Sequence, residues 1–455
     1  LAASVAAAPL PAPPCPGLAR AGFICCYFMN APATVTISVD QLCVGLYVHL
    51  DMNWLDHAFA RNSFLLKNAA QIDAIKRMGL EKIRVEPARS SSRPLRMPAP
   101  APVPDPVEKV VPSEEENALI SEKKARIDRI KAERAAIAQC EKKFAKAGTA
   151  LKNIERSVFA RPQEALAEAD QLVQGMLDDL LADKNIAIHL MNDKIAGEDA
   201  YYHSLNVAVL AMMLAKELGL SAEDIKATGI GCLFHDIGKV EIPARIVHAT
   251  LPLKRAEKNL LQLHCQYGLR IVSKLGLPKA SLDIIGQHHE AMDGSGYPAQ
   301  LRGEQIALAA RIAGLINAYD NHCNRTNPAD SLTPFEALSS MFKQQRHLFD
   351  LAPLTMFIRL MGVYPPGTLV KLSDDTVGMV ISINSGKSLR PNVLIYDPGV
   401  PKNEAIILDL SQEPDIEISA SLKPGQLSPQ AYDYLSPRKR MTYFLDAPTT
   451  APKPA

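Results

Sequence analysis

The chain has 455 residues, which at about 150 per domain is room for roughly three domains and a sizeable core. Fifty lysines and arginines offset 49 aspartates and glutamates, so the strongly basic footprint of a duplex nucleic-acid binder is missing. Hydrophobic residues at 47% and charged residues at 22% are ordinary for a globular protein, and no apolar run reaches the roughly 18 residues of a membrane span.

The eight cysteines are scattered without a C-x-x-C pair, which predicts a reduced, cytoplasmic chain. Prolines are unevenly placed: 14 of the 34 fall in the first 112 residues, and 113–242 hold only Pro162. Residues 1–33 open on Ala/Pro repeats and read as disordered, or as an upstream start assignment with Met29 the true start. Residues 34–88 read as a small α+β domain. Val35, Ile37 and Val39 alternate as in a strand, Val44 to Leu50 continues in that style, and Ile83 and Val85 alternate again. Between them Gln71 to Met78 predicts a helix closed by Gly79. Residues 89–113 form a Pro-rich linker, ending at a Ser113/Glu116 capping box.

Residues 114–184 are charged and alanine-rich, a helical connector. Ile120, Ile127, Ile130 and Ile137 give it a short apolar stripe, through which a homodimer is one option. Over 185–362 amphipathic helices follow one another, broken at Gly219, Pro243, Gly276 and Gly294. Residues 363–412 change to a small β appendix with strands at Thr368 to Leu372, Val377 to Ile383 and Asn392 to Tyr396. Residues 413–455 show no period and read as a disordered tail. The fold class is mainly α, with small N-terminal α+β and C-terminal β parts.

Seven of the eleven histidines lie between 203 and 322. His235-Asp236 ends an apolar helix inside Phe234-His235-Asp236-Ile237-Gly238-Lys239. His203 follows Asp199 by four residues, which puts both on one helix face. His264 comes one helix later, then His288-His289-Glu290 ahead of the loop Asp293-Gly294-Ser295-Gly296-Tyr297-Pro298. A last helix offers Asn317 and Asp320. Any one of these histidines alone could be a satisfied core residue. Five of them with carboxylates, all near helix ends, point to a metal centre. Imidazole and carboxylate suit iron, manganese or zinc, and paired ions promote phosphoryl displacement.

Over 199–325 these pieces resemble the HD-GYP family of HD metal-dependent phosphohydrolases, whose naming loop matches Gly296-Tyr297-Pro298. Residues 34–87 resemble the domain of unknown function that often precedes it. The resemblance implies an HD-type helical bundle that hydrolyses the bacterial second messenger cyclic di-GMP to pGpG, and often onward to GMP. It implies His203, His235, Asp236, His264, His288 and His289 as ligands of two or three divalent ions, iron or manganese, with a bridging hydroxide as nucleophile. It assigns Lys239 to the substrate phosphate and places Asp199 where some members hold a third metal. It also implies contact with cyclic di-GMP synthases through the Gly-Tyr-Pro loop.

Two departures stand out. A family ligand aspartate falls at Asn317, a neutral amide that bridges cations poorly, with Asp320 one turn later as a partial substitute. The family's Arg-Pro-Tyr is absent, and Arg325, one place off, is the remaining candidate for the nucleotide contact. A degenerate module that only binds the nucleotide or a partner, and an HD hydrolase of another phosphate ester, therefore stand as alternatives. Trp54 reads as core, Arg438-Lys439-Arg440 as a solvated patch and Gly386-Lys387-Ser388 as a turn.

Overall fold

Alternating apolar residues build the front of the chain. The computed structural model describes residues 34–52, 57, 59, 61–96, 114–182, 187–191, 199–249, 251–325, 327, 330–384, 389–437 and 441–446. The readings of residues 1–33, Trp54, Ser113, Gly386-Lys387-Ser388 and Arg438-Lys439-Arg440 lie outside these residues. Strands β1 (Val35–Ser38), β2 (Tyr47–His49), β3 (Ser63–Leu65) and β4 (Lys82–Val85) pair antiparallel in the order β1-β4-β2-β3. Helix α1 (Ala69–Arg77) starts at Asn68, whose side chain accepts from the Gln71 N–H, and stops where Gly79 takes a φ of 73°. Its Ala74 and Ile75 share a core with Ile37, Val48, Leu66, Ile83 and Val85. In β4, Lys82 and Arg84 are exposed while Ile83 and Val85 are buried, the period of a one-sided sheet.

The chain divides into two units, 1–121 and 122–455. The front unit extends past the expected domain end at 88. Ser91 N–H donates to the Gly45 carbonyl (2.7 Å) and Leu95 N–H to that of Gln41 (2.8 Å). The segment 89–95 therefore belongs to the front fold rather than to the Pro-rich linker; its backbone groups find partners there.

Helices α2 (Glu114–Ser157) and α3 (Pro162–Ala182) form the connector, followed by strand β5 (Ala187–Leu190). Ile130 is buried, and the Arg134 side chain donates to the Ala405 carbonyl, so this part of the apolar stripe packs within its own chain. Next come α4 (Asp199–Glu217), α5 (Ala222–Phe234), α6 (Ala244–Val247), α7 (Arg255–Gln262), α8 (His264–Val272) and α9 (Lys279–Gln287). After the loop bearing Tyr297 follow α10 (Leu308–Cys323), α11 (Pro334–Lys343) and α12 (Leu351–Met361). Residues Leu205 to Ala215 of α4 are buried all round, so α4 is the central helix of the bundle. Among the described residues, no helix is long and apolar enough to cross a membrane.

Strands β6 (Leu369–Leu372), β7 (Val377–Asn384) and β8 (Asn392–Ile395) occupy the three predicted stretches. The sheet is larger than expected: β9 (Ile407–Asp409), β10 (Ile418–Leu422) and β11 (Tyr443–Asp446) join it, with α13 (Pro429–Leu435) before β11. Two expectations are corrected here. Residues 413–455 carry three regular elements instead of a structureless tail. Strand β5, inside the segment assigned to the helical bundle, pairs with both β7 and β11, so the sheet is not a separate appendix. The strands that were missed share one cause: they are short and find their partners far along the sequence, so no local period announces them.

Candidate metal centre

Three helix ends and one helix interior meet at one point. His235 caps α5, Asp236 follows it, His264 opens α8, His288 and His289 follow α9, and His203 comes from within α4. The approach of the turn Ile237–Glu241 to α8 depends on Gly238. A Cβ there would lie 1.9 Å from the His264 carbonyl oxygen and 2.5 Å from the Gly268 nitrogen. Only glycine lets the two ligand-bearing segments come this close.

Nearly every ring is held by its outer nitrogen. Nδ1 of His235 lies 2.6 Å from the Cys232 carbonyl, that of His264 2.7 Å from Leu261, and that of His288 3.0 Å from Ile284. A carbonyl only accepts, so each Nδ1 carries the proton and each Nε2 presents a lone pair inward. Nδ1 of His203 is held in the same way by the Asp320 carboxylate at 2.5 Å. The inner nitrogens converge: His203 and His235 Nε2 are 3.3 Å apart, as are those of His264 and His288. Lone pairs facing one another at that distance repel unless a cation lies between them.

Asp236 divides its two oxygens between these pairs. Oδ2 is 3.5 Å from His235 Nε2 and 3.8 Å from His203 Nε2; Oδ1 is 3.5 Å from His264 Nε2 and 3.8 Å from His288 Nε2. Oδ1 is buried without a hydrogen-bond partner among the described residues, an atom that a cation would satisfy. Ligand atoms of Asp236, His264, His288 and His289 lie within 4.8 Å of one another, as do those of His203, His235 and Asp236. Two cation positions bridged by one carboxylate fit this donor set.

The protonation states of four of the five rings suit it. Burial pushes His235 down to about 4 and holds His264, His288 and His289 below the ordinary histidine range, so these rings are neutral at pH 7, the form in which imidazole can bind a cation. Burial also opposes charge on His203, but Asp320 and Asp236 outweigh it and raise its pKa. Burial opposes the Asp236 carboxylate too, yet Lys239 and the histidines hold its pKa well below the usual range. Lys239 Nζ sits 2.5 Å from Asp236 Oδ2.

Other predicted residues stand further out. Asp320 is turned to the back of His203 and is also bonded by Asn206 and Asn324, which makes it an orienting group and not the substitute ligand expected. Asn317 is buried, and its Oδ1 accepts from Asn321 at 2.9 Å beside a cavity of about 240 Å³ lined by His288 and His289. Nothing is described for the side chain of Asp199. Arg325 is exposed near His322 and lines neither cavity at the cluster, so the expected nucleotide contact is not brought there. The Tyr297 ring stacks on His289 (4.6 Å between centroids), and a Cβ on Gly296 would lie about 2.5 Å from the backbone of Glu290 and His289. The loop ending at Pro298 is thereby folded onto a ligand; Glu290 clamps its exit through the N–H groups of Ala299 (2.6 Å) and Leu301 (2.9 Å).

A second cavity, of about 520 Å³, opens on His203, Asp236 and Lys239. Its wall includes Glu155 of α2, which sequence reasoning missed among the many charges of that helix. Burial, and then Asp236, push Glu155 up to about 7. Also missed was the support behind Asp320. Asn206 Oδ1 accepts from the Tyr443 N–H (2.8 Å), and Asn324 exchanges hydrogen bonds with the Met441 backbone (2.7 and 2.8 Å).

Two family models match the chain: a domain of unknown function (DUF3391) over residues 34–189 and the HD domain over residues 175–352. Residues 175–352 are thus similar to the HD domain. The chain is 29% identical over 365 residues to a cyclic di-GMP phosphodiesterase of Pseudomonas aeruginosa, an alignment spanning 79% of this chain and 84% of that one. A 3'3'-cGAMP-specific phosphodiesterase of Vibrio cholerae is 37% identical over 119 residues, 26% of this chain and 28% of the relative. Among solved structures, an HDG"Y"P protein from Bdellovibrio bacteriovorus aligns at 16% identity with a TM-score of 0.38, covering 71% of this chain and 98% of that one. The histidines and Asp236 that converge all lie within the 175–352 match.

Proposed function

We propose that the protein is a metal-dependent phosphodiesterase that hydrolyses cyclic di-GMP to pGpG, GMP or both. The observation that carries this is Asp236, which presents one oxygen to His203 and His235 and the other to His264 and His288. His203, His235 and Asp236 would hold one ion, and Asp236, His264, His288 and His289 the other. Ions so bound supply Lewis acidity and a nucleophile at neutral pH. Lys239, beside Asp236 at the cavity, offers its charge to the substrate phosphate as negative charge grows in the transition state. Asp320 holds the His203 ring so that Nε2 faces inward, and the Tyr297 ring covers one face of His289.

Iron or manganese suits this nitrogen and oxygen donor set. Burial pushes the neighbouring Cys265 thiol up to about 12, which keeps it from acting as a thiolate ligand. The free cysteines among the described residues support a cytoplasmic location. We also keep as proposals the synthase contact through the Tyr297 loop, a homodimer through the exposed remainder of α2, and the division into a front domain, connector and HD domain.

The test is to load the full-length protein with Fe(II) or Mn(II) under anaerobic conditions and follow cyclic di-GMP by chromatography. Steady appearance of pGpG or GMP supports the proposal. Tight nucleotide binding with no product from fully metallated protein sinks it in favour of a binding module, the reading that the neutral Asn317 favours.

A further inference from the structure

Helix α2 and the turn after it bring two side chains to the site that the metal chemistry leaves unused. Glu155 and Phe159 lie four residues apart, and both line the cavity of about 520 Å³ that opens on His203, Asp236 and Lys239. Both precede the HD-domain match, which begins at residue 175. Glu155 accepts no hydrogen bond and makes no ion pair with the described residues; the charge acting on it is Asp236, of its own sign. A partly buried carboxylate left unpaired is costly, which makes its place in a cavity wall informative. Phe159 is 55% exposed and stacks on no ring of the described residues, and Val240, 61% exposed, lines the same cavity from another segment.

The cavity wall thus carries two kinds of group. Lys239 and the histidines suit a phosphodiester, which Glu155 would repel. Phe159 and Val240 add exposed apolar faces and Glu155 a carboxylate acceptor, the complement of a nucleobase. Any base can stack on the exposed phenyl ring. Its edge, however, must bring donors: N–H groups on both oxygens favour the ionised form of Glu155, which only accepts. Guanine presents N1–H and N2–H₂ side by side and can fill both carboxylate oxygens. Adenine sets a lone pair beside its amino group, so one oxygen would face a lone pair.

We infer that Glu155 and Phe159 form a guanine-selecting wall of the substrate site, Phe159 stacking on the base and Glu155 accepting from its N1–H and N2–H₂ groups. This deepens the cyclic di-GMP reading and rests on it. The volume is in the range of small-ligand sites, about 300–1,000 Å³, which leaves room for a nucleotide.

The test uses the metal-loaded full chain and calorimetric titration with GMP and AMP, neither of which holds a phosphodiester to cleave. The wild type should favour GMP by about tenfold or more, and Glu155→Gln should cut that preference to below about threefold. Phe159→Ala should weaken both nucleotides about tenfold, while Phe159→Trp keeps the wild-type affinity. A wild type without preference, or an unchanged preference in Glu155→Gln, overturns the inference. Failure of the broader reading shows separately, as a metallated wild type that does not turn over cyclic di-GMP, and the GMP/AMP ratio still decides the wall.

Discussion

Asp320 is the residue whose position says most about how the site is held together. It touches the far nitrogen of His203 and is itself fixed by Asn206 and Asn324, so its charge sets the ring's tautomer and direction. Asp320→Asn should keep the fold but weaken metal binding about 10–100-fold in a competitive chelator titration; wild-type affinity would show that His203 needs no such support. At Asn317 the opposite change is expected to help. Asn317→Asp places a carboxylate beside His288 and His289, and should tighten the metal by about tenfold, roughly 1.4 kcal/mol. Gly238→Ala drives a methyl into the His264 carbonyl, and should lower stability by at least about 2 kcal/mol as read by thermal melting. The converging histidines and Asp236 were legible in the sequence because most sit in short strings with a carboxylate or glycine within four residues. Glu155, Asn206 and Asn324 were not legible; a single polar residue on a helix carries no sign of what it faces.

Helices and strands differed in how far they could be read. The bundle helices have a period of their own, and Gly79 closes its helix where the sequence puts the end. Strand β11 has four residues and pairs with β5, some 250 positions earlier, so nothing local reveals it. It is nevertheless tied to the metal site through Asn206, and the Tyr443 hydroxyl lies 3.0 Å from that of Tyr319. Ending the chain at residue 437 should therefore cost both bound metal and turnover, and full metal content in the truncated protein would contradict that link. Strand β5 adds a pH dependence. His189 is buried with no partner for Nδ1 among the described residues, and burial lowers its pKa from 6.5 to about 4. The unfolded chain thus binds a proton that the folded one refuses, and stability falls as pH drops from about 6.5 toward 4. His189→Leu should remove up to roughly 3 kcal/mol of that loss, seen as a flatter denaturation midpoint across the window. An equally steep profile in the variant would assign the loss to other groups.

At the scale of the molecule, the near-balance of 50 basic and 49 acidic residues agrees with a small charged substrate met locally by ions and Lys239. The uneven prolines marked the boundary near 113 where the long connector begins, but the structure carries the front fold on to residue 95. The C-terminal sheet was seen in part, since three of its strands alternate and the rest depend on partners elsewhere. What unites the fold is the burial of α4, whose His203 meets ligands from α5, α8 and α9 at Asp236. The most direct measurement is the metal content of anaerobically purified wild type and Asp236→Ala, taken alongside cyclic di-GMP turnover. The account predicts about two ions per wild-type chain, and in the variant loss of at least one ion with turnover abolished. An Asp236→Ala protein that keeps both ions, or keeps its turnover, would contradict it.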